Sequence, residues 1–123
     1  MMRGVKTLCL ILMGLLFWQP LAQAGFFTAD VAIANISVVS LPLEARDTLS
    51  LIKQGGPFPY SRDGKVFGNR EHRLPSQSRA FYHEYTVKTP GVHNRGARRI
   101  VCDIVTNCYY TDNHYQTFKR IKE

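Results

Sequence analysis

Between Leu41 and Gly56, in "LPLEARDTLSLIKQGG", the positions Ala45, Thr48, Leu49 and Ile52 recur at three- and four-residue spacing. That spacing predicts one amphipathic helix with a single buried stripe. Pro42 suits its first turn, and Glu44 and Asp47 favour the positive N-terminal end. Lys53 lies in the last turn, and Gly55 and Gly56 supply the stop. Upstream, Gly25–Ser40 is apolar with β-branched residues near its end, which fits a short extension leading into an N-terminal strand. Downstream, "PFPYSRDGKVFGNREHRLPSQS" reads as a loop-rich middle with two or three short extended pieces, punctuated by Pro57, Pro59, Asp63-Gly64, Gly68 and Pro75. The pattern then turns strand-like in "RAFYHEYTV", "ARRIVCDIV" and "YQTFKRI", separated by the turn chemistry of "KTPGVHN", "TN" and "TDN". One helix followed by several antiparallel strands predicts an α+β fold, with the helix packed on one face of a twisted antiparallel sheet. The other face is then free for a ligand.

The hairpin around "TPGVHN" carries the most informative pattern. If Ala80–Lys88 and Arg95–Val105 are its two arms, a symmetric loop places Glu84 opposite Arg99 and Lys88 opposite Arg95. Side chains alternate faces along a strand, and directly paired residues share a face. Phe81, Tyr85 and Val87 then point to the core, while Glu84, Thr86 and Lys88 share the opposite face with Arg95 and Arg99. A surface cross-strand ion pair contributes only ~0–1 kcal/mol and needs one arginine. Two guanidinium groups around one carboxylate leave surplus positive charge, of the kind that holds a phosphate. Arg98 falls on the core side and acquires no role from this pattern.

Composition sharpens the picture at the N-terminus. The chain has 123 residues, so one domain is the default. Its opening "MMRGVK" is basic, "TLCLILMGLLFW" is uncharged and apolar, and "LAQA" ends in a small-x-small pattern at Ala22 and Ala24. These are the three regions of a secretory signal peptide. The division expected is a signal peptide over residues 1–24, an N-terminal extension or strand over 25–38, and the functional domain over 39–123. The product is exported to the extracellular space or a periplasm, with no membrane attachment after cleavage. Loss of Arg3 and Lys6 with the signal lowers the formal charge from +7 to +5. A small basic exported domain points to a polyanionic partner. Of three cysteines, Cys9 leaves with the signal. Cys102 and Cys108 remain and face each other if a hairpin loop lies between them, which predicts a disulfide. A zinc site is not expected, because there is no second cysteine pair and the histidines are scattered.

Two further features extend the chemistry. "YYTDNHYQTF" places His114 in a turn beside Tyr115, and histidine is the side chain best suited to donate a proton near neutral pH. In "KVFGNREHR", Phe67 precedes a loop of Gly68, Asn69, Arg70 and Glu71. An aromatic face stacks on a splayed base. The Glu71 carboxylate offers two acceptors to the adjacent donor pair of guanine, and loop N–H groups serve its other edge. Each of these, taken alone, is equally an exposed turn histidine, a core phenylalanine or a solvated glutamate.

Taken together, "LPLEARDTLSLIKQGGPFPYSRDGKVFGNRE", "YHEYTVKTPG", "RGARRI" and "YYTDNHYQTF" resemble the small guanyl-specific microbial ribonucleases, the barnase-like group and especially its streptomycete-type members. The likeness covers roughly Val39 to Ile121. It implies the microbial ribonuclease fold, with Glu84 as catalytic base, His114 as catalytic acid, and Arg95 and Arg99 as phosphate-binding arginines. It also implies a guanine-recognition loop at Phe67–Glu71 with Glu71 reading the base, and Tyr115 contributing phosphate or base contacts. The implied reaction is metal- and cofactor-independent cleavage of single-stranded RNA 3′ of guanosine, through a 2′,3′-cyclic phosphate to a 3′-phosphate, with a bell-shaped pH–rate profile. The reading from a different class is a non-catalytic basic RNA-binding module on the same fold. The resemblance further implies an acidic barstar-like inhibitor as a partner, and a monomer is expected because the sequence gives no sign of oligomerisation. Three departures from the family pattern stand out. Cys102–Cys108 looks like a local substitute for a longer-range disulfide whose first position lies near Ser37. Gly68 replaces a polar residue common in the recognition loop, and His93 stands where an arginine often lies.

Overall fold

The computed structural model describes residues 32–123. The expected signal peptide, and the extension as far as residue 31, lie outside the described residues.

The helix α1 runs over Leu43–Gln54, slightly inside the predicted span. Pro42 caps its start, and its carbonyl accepts from the amides of Ala45 and Arg46. At the other end Gly55 takes a left-handed conformation, φ 87°, so that the amides of Gly55 and Gly56 reach back to Leu51. This left-handed closure carries no side-chain penalty at glycine. Ala45, Thr48 and Leu49 are buried and Ile52 is half-buried, so the predicted stripe is the one that packs.

Six strands form one sheet: β1 (Ala34–Ser37), β2 (Lys65–Val66), β3 (Tyr82–Thr86), β4 (Arg99–Asp103), β5 (Cys108–Thr111) and β6 (Lys119–Lys122), in the order β1-β6-β5-β4-β3-β2. All neighbours are antiparallel except β1 and β6, which run parallel. The N-terminal strand therefore closes one edge in the direction opposite to a purely antiparallel sheet. A single turn of 3-10 helix, Val38–Ser40, then carries the chain toward α1. The short strand β5 was not separable in the sequence pattern, since only four residues lie between two turns.

The central hairpin differs from expectation in register. Glu84 pairs with Val101, and Arg99 pairs with Thr86. The arms are shorter than Ala80–Lys88 and Arg95–Val105, because the connection consumes more residues on its second side. Arg95 lies in this connection and Lys88 is exposed beyond the strand end, so those two do not pair. The shift is two residues, and side-chain parity repeats every two. Arg99 therefore still shares a face with Glu84. Phe81 precedes the strand and packs on the face opposite to Tyr85 and Val87, against Tyr82 with ring centroids 5.1 Å apart.

Both faces of the sheet are covered. On the helix side, Leu41, Ala45, Leu49, Val87, Ile100, Cys102, Tyr110 and Ile121 form one core. On the other side, Leu74, Tyr82, Val101, Tyr109 and Phe118 form a second. That face is thus not free along its whole length, as first expected. It is apolar at one end and polar at the other, where Glu84, Thr86, Arg99 and Thr111 are buried. Cys102 and Cys108 face each other in the β4–β5 ladder and are joined by a disulfide. Arg98 points to the helix side and pairs with Glu44 of α1 at 3.7 Å.

Candidate active site

The buried polar end of the second face is built around one carboxylate. Glu84 sits on β3 at 5% exposure, which in isolation would be strongly disfavoured for a charge. Three arginines surround it. Arg95 Nη2 donates to Glu84 Oε1 at 3.1 Å, Arg99 Nε lies 3.9 Å from the same oxygen, and Arg62 Nη2 lies 3.5 Å from Oε2. The first two were read from the sequence. Arg62 was not, because only the folded chain brings the "YSRDG" turn to this strand.

Each guanidinium is positioned by local bonding. Arg99 is buried on β4, and its Nη1 donates to the carbonyls of Gly96 and Arg98 at 2.8 and 2.9 Å. Arg95 arrives from the connection, and its Nε donates to Thr86 Oγ1 at 3.0 Å. The Arg62 turn is tied to β3 by Asp63, whose Oδ1 accepts from the Thr86 amide at 2.7 Å, and by the Gly64 amide, which donates to the Glu84 carbonyl. Arg62 itself is 60% exposed, so its contact with Glu84 is the loosest of the three.

Tyr115 completes the cluster. Its hydroxyl donates to Glu84 Oε1 at 2.6 Å and accepts from Arg99 Nε at 3.0 Å. Burial pushes the Tyr115 hydroxyl pKa up; the bond to Glu84 and that carboxylate's charge add to this, and Arg99 opposes it. The group therefore remains a proton donor well beyond neutral pH. Its ring stacks on Phe67 at 5.0 Å and lies 4.9 Å from the His114 ring. His114 is exposed at the mouth of the site. Both His114 and Tyr115 adopt positive φ, 60° and 71°, which costs a non-glycine residue free energy. The turn offsets this by its own bonding. The His114 amide donates to Ala97 O, the Tyr115 amide to Thr111 Oγ1, and Asn113 bonds both Thr111 and Thr117.

The Phe67–Glu71 loop approaches from the other side. Asn69 is its buried anchor, with φ 52° and its side chain bonded to Leu74 N and O. Gly68 and Arg70 are exposed, and a side chain at position 68 would meet Arg70 at 3.5 Å, which is ordinary contact. The Glu71 carboxylate is 64% exposed and lies 4.0 Å from Arg73. Arg73, which the sequence pattern did not single out, also donates to the Tyr115 carbonyl at 3.3 Å. It links the loop to the histidine turn. The structure thus brings Glu84, Arg95, Arg99, Tyr115, Phe67 and His114 into one contact chain. Glu71 joins it through Arg73.

Residues 28–122 match a family profile described as ribonuclease. The chain is 55% identical over 90 residues to guanyl-specific ribonuclease Sa of Kitasatospora aureofaciens, covering 72% of this chain and 94% of that protein. It is 53% identical over 91 residues to guanyl-specific ribonuclease Sa3 of the same organism, covering 73% of this chain but 64% of that longer protein. Among solved structures, ribonuclease Sa2 in complexes with mononucleotides superposes with a TM-score of 0.75 at 48% identity, covering 76% of this chain and 98% of that one. Ribonuclease Sa2 with guanosine-2′-cyclophosphate gives 0.71 at 48% identity, covering 74% and 97%. With the fold, the carboxylate cluster and these similarities in agreement, the chain belongs to the ribonuclease family, in its group of streptomycete-type guanyl ribonucleases.

Proposed function

We propose that this protein is an endoribonuclease that cleaves single-stranded RNA on the 3′ side of guanosine. The observation that carries the reading is a single buried carboxylate, Glu84, contacted by three guanidinium groups and a tyrosine hydroxyl. A cluster with more positive than negative charge is incomplete without an anion, and a phosphodiester supplies one. In the reaction, Glu84 takes the proton of the ribose 2′-OH, and the oxygen attacks the adjacent phosphorus. His114, protonated, gives its proton to the departing 5′-oxygen. Arg95 and Arg99 hold the phosphoryl oxygens as charge develops on them, an electrostatic role that requires no rearrangement at the moment of reaction. Arg62 adds a third positive charge from the solvent side. The product is a 2′,3′-cyclic phosphate. Water opens it to a 3′-phosphate with the acid and base roles reversed. Because the nucleophile belongs to the substrate, DNA is not cut.

Guanine stacks on Phe67 and is read by Glu71 and by the amides of Gly68, Asn69 and Arg70. Tyr115 lies against the face of Phe67 and donates to Glu84 Oε1, so a substrate that uses both displaces it from at least one of them. The disulfide fits an oxidising compartment. Accordingly, the enzyme is exported after loss of a signal peptide at residues 1–24, acts as a monomer, and would be blocked by an acidic barstar-like protein filling the cationic cleft. The test is turnover of the dinucleotides GpC, ApC, UpC and CpC. Release of guanosine 2′,3′-cyclic phosphate from GpC alone is expected. Binding of all four without turnover would instead assign the chain as a non-catalytic RNA-binding module.

A further inference from the structure

A cleft of about 430 Å³ lies apart from the carboxylate site. It shares the Phe67–Arg70 loop as one wall, but its opposite wall is the Ser76–Ala80 segment, and neither Glu71, Glu84 nor Tyr115 lines it. Its polar lining includes Arg70, His72, Gln77 and Arg79, beside the aromatic Phe67 and Tyr82. No carboxylate lines it, and neither Arg70 nor Arg79 has an acidic partner within 4.0 Å among the described residues.

The walls are braced independently of any ligand. Asn69 donates to the Leu74 and Pro75 carbonyls, and the Tyr82 hydroxyl donates to Pro75 O at 2.6 Å. The Ser78–Phe81 turn is closed by the Phe81 amide on Ser78 O, with Ala80 held at φ 69°. A preformed cavity of this size lies in the range of roughly 300–1,000 Å³ that small ligands occupy. Its chemistry selects an anion with a polar, partly aromatic body.

We propose that this cleft is a second RNA subsite, which takes the nucleotide on the 5′ side of the guanosine. The proposal rests on the reading of the neighbouring site as a guanosine-specific ribonuclease. The scissile phosphate, on the 3′ side, belongs to Glu84, Arg95 and Arg99. On that reading the strand's other direction runs past the base-reading loop, and Phe67–Arg70 of that loop also wall this cleft. Arg79 and Arg70 meet the phosphate that joins the two nucleotides. The Gln77 amide, both donor and acceptor, meets the edge of the 5′ base. The subsite contributes binding and no chemistry.

The test compares GpC with the trinucleotide ApGpC, using the full chain and its Arg79→Ala and Gln77→Ala variants. In the unmodified protein kcat/KM for ApGpC exceeds that for GpC by about tenfold, the factor expected for one charge-assisted contact. Arg79→Ala removes most of that gain and leaves GpC cleavage unchanged. Equal kcat/KM for the two substrates in the unmodified protein, or a gain that survives both substitutions, overturns the proposal. Failure of the ribonuclease reading is separable, since it shows as no turnover of either substrate. Titration with the uncleavable trinucleotide carrying 2′-deoxyguanosine then reads the subsite directly. Tighter binding than the matching dinucleotide, lost in Arg79→Ala, sustains the subsite, and equal binding overturns it.

Discussion

Glu84 has two relationships that pull in different directions. Its charge is stabilised by Arg95, Arg99 and Arg62, yet its Oε1 atom is occupied by the Tyr115 hydroxyl. Removing the carboxylate's charge therefore affects both chemistry and packing. Glu84→Gln is expected to lower kcat by ~10²–10⁴-fold, the usual range for a lost general base. It should also destabilise the fold, because Arg99 is buried and loses its counter-charge. His114→Ala is expected to lose a similar factor in rate with no loss of melting temperature, because the imidazole is exposed. Steady-state kinetics beside thermal unfolding separates the two outcomes. Arg62→Ala, at a 60% exposed side chain, should change stability by no more than ~0.5 kcal/mol. It should weaken RNA binding and flatten its salt dependence, measured as kcat/KM against ionic strength. Glu84 and Arg99 were legible because alternation on a hairpin fixes which residues share a face, whereas Arg95 reaches Glu84 from the connection and not through the strand pairing assumed for it. Arg62 and Arg73 were not, because each reaches the site across a tertiary contact that no local pattern records.

At the level of elements, the hairpin shows why a wrong register still put Arg99 on the face of Glu84. A symmetric loop misplaces the pairing by two, and a two-residue slip preserves faces. A slip by one would have sent Arg99 into the helix-side core. The helix was readable almost to the residue, since its stripe and its glycine stop are both local signals. The N-terminal strand was expected, but its parallel pairing with β6 was not, because that partner is distant in sequence, and β5 was too short to stand out between its two turns. The connection between β3 and β4 holds Arg95 and Arg99 through Gly96, which has φ 69° and where an added Cβ would lie 2.5 Å from Thr89 Oγ1. Gly96→Ala is therefore expected to cost about 1–3 kcal/mol of stability. It should also lower activity, because the Gly96 carbonyl accepts from Arg99. Chemical denaturation and GpC turnover on the same variant check both halves.

For the whole molecule, two apolar layers on one sheet leave several tyrosines buried or half-buried. Tyr82 is pushed up to about 12 by burial, with Tyr109 and Asp103 adding to it, and Tyr85, Tyr110 and Tyr115 are also raised chiefly by burial. An unfolded tyrosine ionises near its ordinary value of 10.0. The stability these groups contribute is full below that pH and is lost as pH rises through their higher folded values. Melting temperature should thus fall steeply above about pH 10. A flat profile from pH 9 to 12 would contradict it. The Cys102–Cys108 bridge closes a short loop, a sequence separation of 6, so reduction should cost only about 2 kcal/mol and leave GpC turnover intact.

Arg73 touches the Glu71 carboxylate and the backbone carbonyl of Tyr115 together. On the proposed reading, a guanine that claims Glu71 would withdraw one of the two anchors of that guanidinium. The side chain is then left with the carbonyl of the residue that follows the imidazole. Discrimination between bases would in that way be felt at the proton donor, so the wrong base would forfeit turnover as well as affinity.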